Sequence, residues 1–178
     1  SSDVCSSDLS PNRFAKSLRT KESNTIGIMV EDITAFQTPR IINGINNYVE
    51  KQGYAVILNN MSLLEKTGNH YSELSSYQSA ISKSIKLFNK TQIDGLVYVA
   101  MHDRDVMELI PKLSIPIVLV YCYDTSKNNY YVTYDNVDVI VDVAECLMKR
   151  GNEKIGVIKG AEDSLPSQKR LKSFITQL

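Results

Sequence analysis

Apolar residues in this chain recur in two alternating patterns: short unbroken runs, and one-faced stripes at helical spacing. Thr25–Val30 (TIGIMV), Tyr54–Asn59 (YAVILN), Ile93–Ala100 (IDGLVYVA) and Ile115–Tyr121 (IPIVLVY) are continuous runs that predict buried strands. Tyr130–Tyr134 and Lys154–Ile158 predict a fifth and a sixth. Between them, Ile41, Ile42, Ile45, Tyr48 and Val49 share one face of a helix over Pro39–Gln52. Pro39 suits its first turn, Lys51 its last, and Gly53 its C-terminal stop. Tyr77, Ile81, Ile85 and Phe88 mark a second helix, and Val106, Met107, Ile110 and Leu113 a short third. Val139, Ile140, Val143, Ala144, Leu147 and Met148 line a helix ended by Gly151, and a last helix runs through Arg170. The polar stretch from Asn60 to about Leu74 reads as a solvated surface loop.

This alternation predicts an α/β fold, a parallel sheet with helices on both faces. Such sheets bind ligands at the carboxyl ends of their strands. The loops after Val30, Asn59, Ala100, Tyr121, Tyr134 and Gly160 are therefore where chemistry is expected.

Charge changes the picture locally rather than globally. Twenty Lys and Arg balance twenty Asp and Glu in 178 residues, which argues against a whole surface devoted to nucleic acid or anionic lipid. The segment Ser10–Lys21 nevertheless carries Arg13, Lys16, Arg19 and Lys21 without one acid. On charge alone this is an ordinary basic tail, although Ala15 and Leu18 lie three apart on one helical face. Residues 1–9 (SSDVCSSDL) repeat the SSD triplet and read as a non-native leader. Cys122 and Cys146 lie in apolar patterns and predict buried free thiols of a reducing compartment. No apolar stretch approaches a membrane span and no signal peptide is visible, so a cytoplasmic protein is expected.

Catalytic chemistry finds little support. His70 and His102 have no second histidine or cysteine at metal-ligand spacing, so no metal site is expected. No G-x-G-x-x-G, phosphate loop or nucleophile elbow occurs. His102 beside Asp103 is the one place an enzyme reading can start, and it lacks a nucleophile. Neither an enzyme nor a bound cofactor is expected.

Several blocks occur in one order: SPNRFAKSLRT at Ser10–Thr20, then TIGIMV, ED, INGINNYVEKQGYAVIL, IDGLVYV, IPIVLV, YDN, LMKRGNEKIGVIKG and KRLKSF. From about Ser10 to Phe174 the chain resembles the LacI/GalR family of bacterial transcriptional regulators. The resemblance implies a type I periplasmic-binding-protein-like core with its second subdomain truncated, preceded by a hinge whose helix-turn-helix headpiece is missing. The boundaries it implies are a leader at 1–9 and a hinge helix and linker at 10–24. The N-terminal effector-core subdomain would cover 25–137, with a crossover and incomplete C-terminal subdomain at 138–178.

Residue by residue, the resemblance assigns Asn12, Arg13, Ala15, Lys16, Leu18 and Arg19 to an operator-binding hinge. Leu18 would be the wedge that opens the minor groove. Asp135 and Arg170 match residues that contact the effector, implied to be a sugar or related small metabolite. The first cleft loop departs from the family's Asn-Pro-Phe-Phe pattern, and Phe36 and Gln37 stand there as weaker effector contacts. The fourth strand also departs, ending in Tyr121 and Cys122 where the family has an Asp-Arg pair. Asp135 has a second reading, as the turn aspartate that caps the next helix. Operator DNA and a second copy of the full-length chain are the implied partners. The alternative is a sugar-type solute-binding protein of the same fold without DNA binding. It requires a secretory leader, and PNRFAKSLRT argues against it.

Overall fold

A computed structural model of the chain describes residues 23–67, 74–126 and 128–178. The hinge residues Asn12 to Arg19, the leader at 1–9 and His70 lie outside the described residues. Five strands form one sheet: β1 Thr25–Val30, β2 Ala55–Asn60, β3 Gly95–Val99, β4 Ile117–Val120 and β5 Tyr130–Val132. Their order is β2-β1-β3-β4-β5, and every neighbouring pair is parallel. Five helices accompany them: α1 Thr38–Lys51, α2 Leu63–Thr67, α3 Leu74–Thr91, α4 Asp138–Lys149 and α5 Leu165–Gln177.

The central strands β1 and β3 are largely buried on both faces because alternate side chains feed two cores, whereas β2 is half-buried and β5 exposed. Met29, Leu96, Tyr98 and Leu119 point into one core, which α3 closes with Tyr77, Ile81, Ile85 and Phe88. Ile28, Val30 and Val99 point into the other, which α1 covers with Ile41, Ile42 and Ile45. Gly27 lies under the first core. A Cβ there would meet Ile93 Cδ1 at 2.6 Å and the Phe88 ring at 3.0 Å.

Four expectations are corrected. The stretch 60–74 is not simply a solvated loop: Met61 and Leu63 are buried, and α2 forms within it. The short helix over Val106–Leu113 is absent. Val106 N instead donates to Tyr123 O, residues 106–110 make turns, and Pro111 blocks continuation. Lys154–Ile158 is not a strand, and Val157 and Ile158 are exposed without a strand partner among the described residues. Cys146 is exposed on the solvent side of α4, whereas Cys122 is buried as expected.

Candidate functional site

Parallel strands end together, so the loops after β1, β3, β4 and β5 gather at one edge of the sheet. Under that edge lies a buried ion pair. Glu31, directly after β1, accepts from Tyr98 OH, from the Arg104 guanidinium and from Met101 N at 2.8 Å. Arg104 also stacks over the Tyr77 ring, 4.0 Å from its centroid. Burial pushes the Glu31 carboxyl above its usual range, against the pull of Arg104 and the hydrogen bonds from Tyr98 and Met101. Asp32 organises the next loop: Oδ1 accepts from Thr34 N at 2.9 Å and Oδ2 from Leu64 N at 3.1 Å. The second bond also anchors the start of α2.

Above this floor is a cleft of about 500 Å³ lined by Asp103, Tyr123, Tyr131, Tyr134, Asp135 and Lys169, among others. Asp103 is buried, and its Oδ2 accepts from Lys169 Nζ at 2.9 Å and Asn136 Nδ2 at 3.2 Å. Asn136 Oδ1 accepts from Arg170 Nε at 2.8 Å. The Arg170 guanidinium carbon lies 5.5 Å from the Tyr134 centroid, and Lys169 Nζ 5.1 Å from that of Tyr123. Tyr121 meets Tyr134 edge-on at 5.0 Å and holds a positive φ of 61°, a conformation that costs energy in a bulky residue. His102, beside Asp103, is pushed down to about 4 by burial and by Arg104, with Asp163 opposing.

The expected site residues fall into three groups. Asp135 lines the cleft, and Arg170 reaches its neighbour Asn136, so these two are brought to one place. Asp135 is exposed, and its Oδ1 accepts from Val137 N at 2.7 Å and Asp138 N at 3.0 Å, capping the start of α4. Oδ2 carries no such bond. Phe36 and Gln37 occupy the β1–α1 loop, fully exposed in the case of Phe36, and neither lines this cleft. The hinge residues are outside the described part. Asp103, Asn136 and Lys169 were not singled out as binding residues. Asn136 in YDN and Lys169 in KRLKSF stand beside residues that were. Only the fold brings Asp103 to them across 33 and 66 residues of sequence.

Tyrosine faces, carboxylates and the Lys169 ammonium line this cleft and suit a polar ligand rich in hydroxyl oxygens, while Arg170 lines a separate cavity with Ile140, Val143 and Leu171 and is tied to the cleft wall through Asn136. Among the described residues no group of three or more His, Cys, Asp or Glu is arranged to hold a metal ion. No described helix is long and apolar enough to cross a membrane.

No family model matches the chain. Among curated proteins it is 30% identical over 148 residues to the HTH-type transcriptional regulator RegA of Clostridium acetobutylicum, covering 82% of this chain and 40% of that protein. It is 26% identical over 168 residues to the ribose operon repressor of Lactococcus lactis, covering 94% of this chain and 46% of that protein. The chain thus spans less than half the length of the curated relatives it matches. Among solved structures, a LacI-family transcriptional regulator protein from Rhizobium etli superposes with a TM-score of 0.67 at 25% identity, over 86% of this chain and 51% of that one.

Proposed function

Because this chain belongs to the LacI/GalR family of bacterial transcriptional regulators, we propose that it carries the hinge and the front of the effector core of a ligand-responsive, DNA-binding regulator. Its fold is that of the periplasmic-binding-protein-like effector cores. In this reading residues 10–24 are the operator-binding hinge, 25–137 the N-terminal subdomain, and 138–178 the crossover and the start of the C-terminal one. Residues 1–9 are foreign to it. The protein works in the cytoplasm as a homodimer and is not an enzyme.

One observation carries the effector assignment. Arg170, on α5, donates to Asn136 at the end of β5, next to Asp135. Two groups 35 residues apart in sequence therefore flank one position at the carboxyl edge of the sheet. The effector is a sugar or related small metabolite, held by the Oδ2 oxygen of Asp135 with tyrosine faces beside it, and Arg170, bonded to Asn136 of the cleft wall, completes the grip. The ribose operon repressor among the relatives favours a sugar. Phe36 and Gln37 join the site when the β1–α1 loop folds over a bound ligand. A solute-binding protein of the same fold is less favoured, since the matched relatives are regulators and Ser10–Lys21 is basic.

The test uses the natural protein at its full encoded length. Binding-site selection from random duplex DNA yields an operator, bound specifically in the range of about 10⁻⁸ to 10⁻¹¹ M. D-Ribose, sucrose and a panel of other sugars are then titrated against the complex, with fluorescence anisotropy as the readout. Failure to enrich any duplex sequence refutes the DNA-binding assignment. An operator complex indifferent to every sugar refutes the effector class.

A further inference from the structure

Asp103 lies in a closed ring of polar side chains joining the sheet edge to α5. Lys169 Nζ and Asn136 Nδ2 both donate to Asp103 Oδ2, at 2.9 and 3.2 Å, and Arg170 Nε donates to Asn136 Oδ1 at 2.8 Å. Lys169 and Arg170 are consecutive on α5, so the backbone closes the ring. Asp103 and Asn136 are 3% and 5% exposed, so the groups at the centre of the ring are shielded from water while the donors Lys169 and Arg170 stand nearer the surface.

The chemistry of each member fixes the next. A carboxylate only accepts, so Asp103 takes the NH₂ side of the Asn136 amide. That turns the amide oxygen toward Arg170, which only donates. Lys169 supplies the positive charge that a buried carboxylate needs. The Tyr134 ring lies beside the guanidinium, adding a second constraint on its plane.

We infer that Asn136 is a positioning residue that holds Arg170 by its Nε and so dictates how the guanidinium meets an effector. With Nε committed, the side-on pair of Nε and one terminal nitrogen is closed to a ligand. The two terminal nitrogens remain, and they present an end-on fork. Such a fork selects a ligand with two neighbouring acceptor oxygens, vicinal hydroxyls or a carboxylate. This inference rests on the reading of the cleft as the effector site.

The anchor is read directly in the full-length protein with ¹⁵N-labelled arginine. The Arg170 Nε–H signal is identified by its loss in Arg170→Lys. Without ligand it exchanges with water at least tenfold more slowly than the signals of exposed arginines. In Asn136→Ala, with circular dichroism unchanged, it exchanges at the exposed rate. Fast exchange in the wild type overturns the inference, and that measurement needs no variant to fold. Protection that persists in Asn136→Ala overturns it equally.

D-Ribose is the probe for the functional arm, with release of the selected operator as the readout. Half-maximal release moves at least tenfold in Asn136→Ala. An unchanged D-ribose response in Asn136→Ala overturns the inference. A wild type with a protected Arg170 proton and no D-ribose response keeps the anchor and counts against the sugar reading, so the two failures are distinguishable.

Discussion

Asp135 and Asp103 lie at the same edge and do different work. Asp103 is buried in a ring of donors, whereas Asp135 is exposed and accepts from two backbone N–H groups at the start of α4. Those two bonds hold the Asp135 carboxyl below the usual range, as expected of an anion at a helix N-terminus. Capping uses Oδ1 and leaves Oδ2 for a ligand, so the two readings of this residue are compatible and separable. Asp135→Ala is expected to lower the melting temperature by a few degrees and to weaken the effector response about tenfold or more. Asp135→Ser keeps a capping oxygen and recovers the melting temperature, but not the response. A Ser variant with full response leaves Asp135 as a cap alone. His102 gives a prediction in pH. Burial and Arg104 push it down to about 4, so the folded protein holds a neutral imidazole that the unfolded chain protonates near 6.5. The stabilisation is complete above pH 6.5 and is lost as pH falls through that value toward 4, by up to roughly 3 kcal/mol. Urea unfolding at pH 6.5, 5.5 and 4.5 is expected to show this loss in the wild type and a flatter profile in His102→Gln. Equal slopes refute the assignment.

Among the elements, what sequence revealed was what hydrophobic periodicity controls. The four long strands and the helices of Ile41, Tyr77, Ile140 and Phe174 stand where the runs and stripes predict them, the first two helices packed on the two cores and the last two set by local periodicity, with only Ala144 of the Ile140 stripe buried. What escaped depends on partners far along the chain. The α2 turn is held by the Asp32 carboxylate accepting from Leu64 N, a contact across 32 residues. Val106 is drawn out of a helix by Tyr123 O. Lys154–Ile158 has the composition of a strand but no neighbour to pair with among the described residues. The candidate site divides in the same way. Asp135 and Arg170 were readable through family resemblance, but Asp103, Asn136 and Lys169 acquire roles only once β3, β5 and α5 converge. Packing between elements is testable at Gly27. An added Cβ would lie 2.6 Å from Ile93 Cδ1, and this overpacking is expected to cost about 1–3 kcal/mol in Gly27→Ala. The obstructing atom is a terminal methyl, so adding Ile93→Val is expected to recover part of that cost, with coupling visible in a double-mutant cycle of urea unfolding. Strictly additive effects mean that the clash is relieved elsewhere.

Across the whole molecule, the proposed cleft and the first described residues lie at opposite ends of the sheet. The chain enters the fold at the amino end of β1, where Asp94 accepts from Ser23 N at 2.9 Å and Thr25 N at 3.3 Å. The cleft lies beyond the other end of the sheet, about 20 Å away for a strand of six residues. In the proposed reading an effector would act by preferring one arrangement of the subdomains, and the ring linking Asp103 and Asn136 to α5 is the contact through which such a preference would be expressed. The hinge has its own separable chemistry. In the proposed hinge, Arg13, Lys16, Arg19 and Lys21 would meet phosphates irrespective of sequence, while Leu18 would supply an apolar wedge whose benefit depends on how easily the operator centre unstacks. In the full-length protein, Leu18→Ala is expected to weaken selected-operator binding at least tenfold and leave random-duplex affinity within about twofold. Arg19→Ala is expected to weaken both alike and to reduce the slope of log affinity against log salt by about one. The effector response per bound complex is expected to stay intact in either variant, because neither changes a residue of the cleft. If both variants keep wild-type operator affinity at every salt concentration, residues 10–24 are a basic tail and the DNA contacts lie elsewhere in the protein.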